Sequence, residues 1–141
     1  TLNESLDRGN FELTLIGRHS QKLLKSLARA NFLGSLDPQS VMEVLTTHDL
    51  LLVPSLFENA GTVVAEAASQ GIPSLARDVG GMAEMTNYEK SGYLFRNETE
   101  LADIIGSVTK AELRKKGVFA REWAQKLKPE LVAKEYAEAF L

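Results

Sequence analysis

The 141-residue sequence contains no cysteine. That excludes disulfides, thiolate metal sites and a cysteine nucleophile, and it fits a reducing compartment. No apolar run approaches the roughly 18–20 residues needed to cross a bilayer, and no signal peptide is visible. Excess positive charge is also missing. Sixteen Lys and Arg face nineteen Asp and Glu, for a net charge of −3, so nothing favours nucleic acid as a partner. What remains is ordinary for a globular chain with a real core, 44% hydrophobic and 25% charged, and one domain over residues 1–141 is the simplest reading.

Glycine and proline divide the apolar segments into a regular series. "FELTLIG" (Phe11–Gly17) reads as a strand stopped by glycine, and "QKLLKSLARA" (Gln21–Ala30) as a helix. "NFLG" (Asn31–Gly34) reads as a very short strand. Asp37 and Pro38 give a cap and a first helical residue for a helix running to His48. "DLLLVPS" (Asp49–Ser55) is continuously apolar, as in a strand buried on both faces. A helix over Gly61–Gln70, a strand over Ile72–Arg77, a brief helix in "MAEMTN" and a strand in "SGYLF" follow. Glu98 to Leu141 reads as helical, broken at Pro129. Such alternation predicts an α/β fold, a parallel Rossmann-like sheet with helices on both faces. Ligands in such sheets bind beyond the carboxyl ends of the strands. The Pro54–Ala60 and Arg77–Gly81 loops both belong on that edge.

The informative stretch is "PSLFENAGTVVAEAASQGIPSLARDVGG", Pro54 to Gly81. It places Glu58 and Glu66 on either side of a helix start, with no Lys or Arg between them. The first amides of a helix are unpaired and attract anions, and Gly61 permits close approach of a ligand. Carboxylates beside that seat would repel a bare phosphate. They suit hydroxyls, because an ionised carboxylate only accepts hydrogen bonds and takes two from a vicinal diol. A ligand with diols flanking an anionic centre has the layout of a nucleotide-diphosphate sugar.

From Asp49 to Phe95 the sequence closely resembles the C-terminal half of GT-B fold retaining glycosyltransferases of the group 1 type. The resemblance is carried by Asp49, Pro54, Ser55, Glu58, Gly61, Glu66, Ala67, Gly71, Pro73, Asp78, Gly80, Gly81, Glu84, Gly92, Leu94 and Phe95. Ser69 stands where the family commonly has Ala. The resemblance implies that Glu58 binds donor-sugar hydroxyls near the reacting centre and that Asn59, Ala60, Gly61 and Thr62 contact the sugar or diphosphate. It implies that Glu66 holds the ribose and that backbone near Phe32 and Leu33 contacts the base. It implies no metal and no cofactor beyond the nucleotide-diphosphate sugar donor. The acceptor would be bound by an N-terminal domain outside this sequence. The location implied is cytoplasmic, with attachment at the inner face of a membrane as the expectation for a full-length form.

Two departures set further expectations. Asn59-Ala60 replaces the usual Gly and bulky residue, so sugar preference is expected to differ. The family's first donor-half strand, its Gly-Arg loop and a following Lys are not found, and Arg18 in "IGRHS" follows what would be the second strand. The sheet is therefore expected to carry a central gap, with self-association through the truncated surface as one consequence. Bland readings stand beside these. Gly80 and Gly81 suit turn geometry or backbone contact with a sugar; Glu84 suits a helix start. His19 and His48 read as surface or capping residues, Arg18 and Arg77 as surface charge with help in holding phosphate as the alternative, and "ELRKK" as a solvated helix face. Phe119, Trp123, Tyr136 and Phe140 read as core packing. The competing functions are a non-catalytic nucleotide-binding or interaction module, which would not need two diol-gripping carboxylates, and half of a nucleotide-sugar epimerase, against which the Pro-Ser-x-x-Glu string argues.

Overall fold

The computed structural model describes residues 11–18, 25, 27, 30–59 and 61–140. Two parallel sheets appear among them. Strand β1 (Leu13–Ile16) pairs with β2 (Ala30–Gly34), matching Leu13 to Ala30. Strands β3 (Leu51–Val53), β4 (Ser74–Arg77) and β5 (Gly92–Phe95) form the other sheet in the order β3-β4-β5, with Leu51 opposite Ser74 and Ser74 opposite Gly92. The expected α/β architecture with parallel strands is thus present. Most of the helix expected over Gln21–Ala30 lies outside the described residues; Lys25 is helical and Ala30 already belongs to β2.

Helix α1 (Pro38–Leu45) begins as its sequence dictates. The Asp37 side chain accepts from the Ser40 amide at 3.1 Å, and Pro38 occupies the first turn. It ends three residues before the expected His48. The Thr46 and Thr47 hydroxyls donate to the Glu43 and Val44 carbonyls, both at 2.7 Å. Such hydroxyls compete with further helix bonds.

Alternation along the strands sends side chains to two core clusters on opposite faces of the three-stranded sheet. Leu51, Val53, Ala76 and Leu94 meet Val63 and Val64 of α2 (Thr62–Ser69) and Met82 and Met85 of α3 (Met82–Met85). Leu52, Leu75, Tyr93 and Phe95 meet Leu101, Ile104 and Ile105 of α4 (Glu98–Ser107). Helices therefore cover both faces. The expected helix beyond Glu98 has a break that Pro129 does not explain. Thr109 caps α5 (Lys110–Lys126) in a reciprocal capping box with Glu112. Pro129 then opens α6 (Pro129–Phe140).

The strands do not close up to form one sheet. Among the described residues β1 pairs only with β2, and β3 only with β4. Side chains link the two pieces: His48 Nε2 lies 2.8 Å from Thr14 Oγ1, and Phe11 packs on the α4 face of the other sheet. His48 also caps α1 through Nδ1, 2.9 Å from the Val44 carbonyl, as its capping reading anticipates. Expected core packing fails at Phe119, which is 41% exposed. Its face of α5 points away from α2 because Gly117, buried two positions earlier, carries the close contact. Trp123 is half-buried, and the Tyr136 and Phe140 side chains lie outside the described residues.

Candidate functional site

Glu58 sits in the loop after β3, half-buried. Its carboxylate turns back on the chain. Oε1 accepts from the Asn59 amide at 3.1 Å and from the Gly61 amide at 3.2 Å. Two of the amides expected to meet a donor are thus already engaged by Glu58. Oε2 makes no hydrogen bond among the described residues and is left to accept from a hydroxyl. Gly61 is the residue before α2, in the left-handed conformation at φ +56°, and no side chain caps the helix. The first-turn amides beginning at Thr62 are therefore the ones without a side-chain partner. Ala60 lies outside the described residues.

Glu66 lies one turn beyond Thr62 on the exposed side of α2, opposite the buried stripe of Val64, Ala67 and Ala68. Four residues of helix separate Thr62 and Glu66 by about 6 Å along the axis, on one face. The Glu66 carboxylate has no hydrogen bond or ion pair among the described residues, a free diol acceptor in the chemical sense. Phe32 (half-buried) and Leu33 (exposed) stand on β2, in the two-stranded sheet rather than the one carrying Glu58.

A second loop, Asp78 to Gly81 after β4, lies against the first. The Gly81 amide donates to the Asn59 carbonyl at 3.0 Å. Asp78 is tied to β5: its amide donates to the Phe95 carbonyl at 2.9 Å, and its carboxylate meets Arg96 at 3.3 Å. Arg77 is not simply surface charge. Its guanidinium lies 5.1 Å from the Phe95 ring centre and donates to the Arg96 carbonyl at 3.1 Å. Glu84 lies in the first turn of α3, exposed, as a helix-start reading expects. Arg18 is exposed, and His19 lies outside the described residues.

Residues 1–111 match the family model of Glycosyl transferases group 1. The chain belongs to that family. Among curated relatives, it is 36% identical over 96 residues to the D-inositol 3-phosphate glycosyltransferase of Nocardia farcinica, covering 65% of this chain and 21% of the relative. The N-acetyl-alpha-D-glucosaminyl L-malate synthase of Bacillus anthracis is 36% identical over 83 residues, 59% of this chain and 20% of the relative. The chain thus spans about a fifth of the length of these relatives. Among solved structures, the sucrose-phosphate synthase of Thermosynechococcus elongatus aligns with a TM-score of 0.74 at 25% identity, over 91% of this chain and 37% of that one. Anabaena Alr3699/HepE in complex with UDP aligns at 0.77 and 21%, over 99% and 43%; at that identity the likeness shows the fold.

In this group 1 glycosyl transferase chain the candidate site lies along the loops that follow β3 and β4. Two open grooves, about 640 Å³ and about 590 Å³, run along α5 and include neither Glu58 nor Glu66. Lys116 lines the first. It is folded onto the Tyr93 ring at 4.3 Å and donates to the Glu89 carbonyl, and burial holds its ammonium below the ordinary lysine range. It therefore braces the Asn87–Glu89 turn, where three consecutive residues take positive φ. One residue of the "ELRKK" face is thus a structural strut. A carboxylate oxygen of Glu58, a helix start without a side-chain cap and the Glu66 carboxylate lie on this loop and the helix that follows it. The sequence contains signals for two features that a linear reading leaves aside. Thr109-x-x-Glu112 is a capping-box pattern, and the Gly80-Gly81 pair marks a backbone contact whose partner only the fold reveals. Phe57, the residue before Glu58, is 92% exposed.

Proposed function

We propose that this chain is the donor-binding part of a retaining glycosyltransferase that moves a hexosyl group from a nucleotide-diphosphate sugar to a hydroxyl acceptor. The observation that carries the reading is the arrangement of Glu58: one oxygen fixes its own loop, and the other is left as a directed acceptor beside an uncapped helix start. Glu58 holds donor-sugar hydroxyls through Oε2. The start of α2 at Thr62 faces the diphosphate, with the helix dipole favouring the charge that grows as the leaving group departs. Glu66 takes the ribose diol, and backbone at Phe32 and Leu33 meets the base. In the reaction, the acceptor oxygen bonds to the anomeric carbon as the bond from that carbon to the diphosphate breaks. The acceptor proton passes to the departing diphosphate. The chemistry needs an acceptor positioned from elsewhere in the protein, so this chain alone binds donor without appreciable turnover. The relatives that bind UDP, and those named as sugar transferases, support the same reading. A cytoplasmic location goes with this reading as part of the proposal.

Titration with UDP, GDP and ADP and their glucose and mannose conjugates, followed by amide NMR shifts, tests this. One base is expected to shift α2 and β2, and its sugar conjugate to shift the Glu58 loop in addition. Glu58→Gln is expected to abolish the additional shifts and keep the nucleotide response. No response to any of these ligands at millimolar concentration overturns the proposal.

A further inference from the structure

We infer that Gly80, together with the Gly81 amide, is a positioning element for Glu58, setting the direction of the one carboxylate oxygen left for a sugar hydroxyl. This rests on the donor-site reading above for its functional meaning, and on the loop geometry alone for its physical content.

The two loops meet backbone to backbone. Gly80 has φ +53°, and a Cβ built there would lie 1.8 Å from the Glu58 carbonyl oxygen and 3.0 Å from the carbonyl carbon. Neither atom can rotate away, because both belong to the main chain. Only glycine permits the approach, for reasons of space as well as of backbone angle. One residue on, the Gly81 amide donates to the Asn59 carbonyl at 3.0 Å. From outside, the second loop thus packs against the Glu58 carbonyl and hydrogen-bonds the Asn59 carbonyl. From inside, the Glu58 carboxylate engages the same loop, with Oε1 accepting from the Asn59 and Gly61 amides. The second loop is itself anchored: Asp78 is tied to β5 through the Phe95 carbonyl and Arg96, and Met82, almost wholly buried after Gly81, seats it in the core.

The consequence is geometric. With Oε1 pinned to two amides, the carboxylate plane has little freedom, and Oε2 points one way. A residue with a side chain at position 80 pushes the Glu58 backbone outward and breaks that alignment. A bound nucleotide contacts Glu66 and β2 instead and is touched little. Gly80 therefore controls recognition of the sugar, not of the nucleotide.

Gly80→Ala tests this, with Gly71→Ala as the control. Gly71 also has positive φ, +75°, but the atoms nearest its added Cβ belong to the side-chain guanidinium of Arg121, which donates to the Gln70 carbonyl at the far end of α2 from Glu58. In the unliganded protein, Gly80→Ala is expected to move the Asn59 and Gly61 amide resonances and Gly71→Ala to leave them in place. With UDP and UDP-glucose as probes, and the GDP and ADP pairs if UDP does not bind, Gly80→Ala is expected to weaken the sugar conjugate about tenfold relative to the free nucleotide, the size of one misplaced charge-assisted hydrogen bond. Unchanged Asn59 and Gly61 resonances in Gly80→Ala, or equal movement in both variants, overturn the inference. If wild-type protein binds no nucleotide, the proposed function falls, while the resonance comparison still decides the clamp. If Gly80→Ala does not fold, hydrogen exchange on wild type and Glu58→Ala decides it. The Asn59, Gly61 and Gly81 amides are expected to be protected in wild type, with Asn59 and Gly61 released in Glu58→Ala. Fast exchange of all three in wild type overturns the clamp.

Discussion

Gly117→Ala in the middle of α5 is expected to destabilise the protein, although alanine is the better helix former. The propensity gain alone is about 1 kcal/mol. Against it stands a contact. A Cβ at Gly117 would lie 2.2 Å from the Gly71 carbonyl oxygen, with the carbonyl carbon at 3.3 Å and Pro73 Cδ at 3.7 Å. The partner is main chain at the turn between α2 and β4, so relief requires α5 to back away by about 1 Å to reach an ordinary carbon–oxygen contact. Leu113 and Ala120, buried on the same face of α5, lose packing as it moves. Overpacking of this kind costs about 1–3 kcal/mol, and set against the helix gain of about 1 kcal/mol it leaves a net loss of up to about 2 kcal/mol. Gly106 in α4 supplies the opposite case. Nothing lies within 4 Å of a Cβ there, so Gly106→Ala is expected to stabilise by about 0.5–1 kcal/mol. Urea unfolding followed by far-UV circular dichroism measures both, with the midpoint moving down for Gly117→Ala and up for Gly106→Ala at constant slope. A Gly117→Ala protein at least as stable as wild type refutes the reasoning. The contact also matters for the site, because α5 steadies the helix that carries Glu66.

Three further outcomes are expected. Glu66→Ala leaves the unfolding midpoint within about 0.5 kcal/mol of wild type, because the carboxylate is exposed and unpartnered, but lowers nucleotide affinity about tenfold by titration; a large stability loss would show that Glu66 is structural. Thr109→Ala removes the α5 capping box and costs about 1 kcal/mol. Its pH signature follows from Glu112, whose carboxyl is held below its ordinary 4.5 by hydrogen bonds from the Thr109 side chain and backbone. A depressed folded pKa gives stability that is complete above about 4.5 and lost as pH falls through the lower folded value. The variant is expected to lose that acid-side dependence in NMR titration of Glu112, and an unchanged titration would discount the cap. Lys116→Met removes the strut on the Asn87–Glu89 turn and is expected to speed amide exchange there and lower stability by about 1 kcal/mol; unchanged exchange at Lys90 and Ser91 would show that the turn holds itself.

Local chemistry determined a great deal. Asp37-Pro38 started α1, Gly71 followed the end of α2, and the apolar runs at Leu51, Ser74 and Gly92 became strands, because caps, breakers and strand-forming runs act over a few residues. The spacing of Glu58 and Glu66 around a helix start was legible for the same reason: eight residues fix both to one loop and the helix that follows. Element ends were less legible. Asp49–Ser55 supplied only three paired residues, since the length of a parallel strand depends on where its neighbour runs. Two matters were decided by the tertiary structure alone. The approach of Gly80 to the Glu58 carbonyl joins residues 22 positions apart. The exposure of Phe119 depends on Gly117 turning the other face of α5 inward. In each, the physical cause is a backbone contact between distant segments, and a backbone atom leaves no residue type in the sequence to announce what will be packed against it.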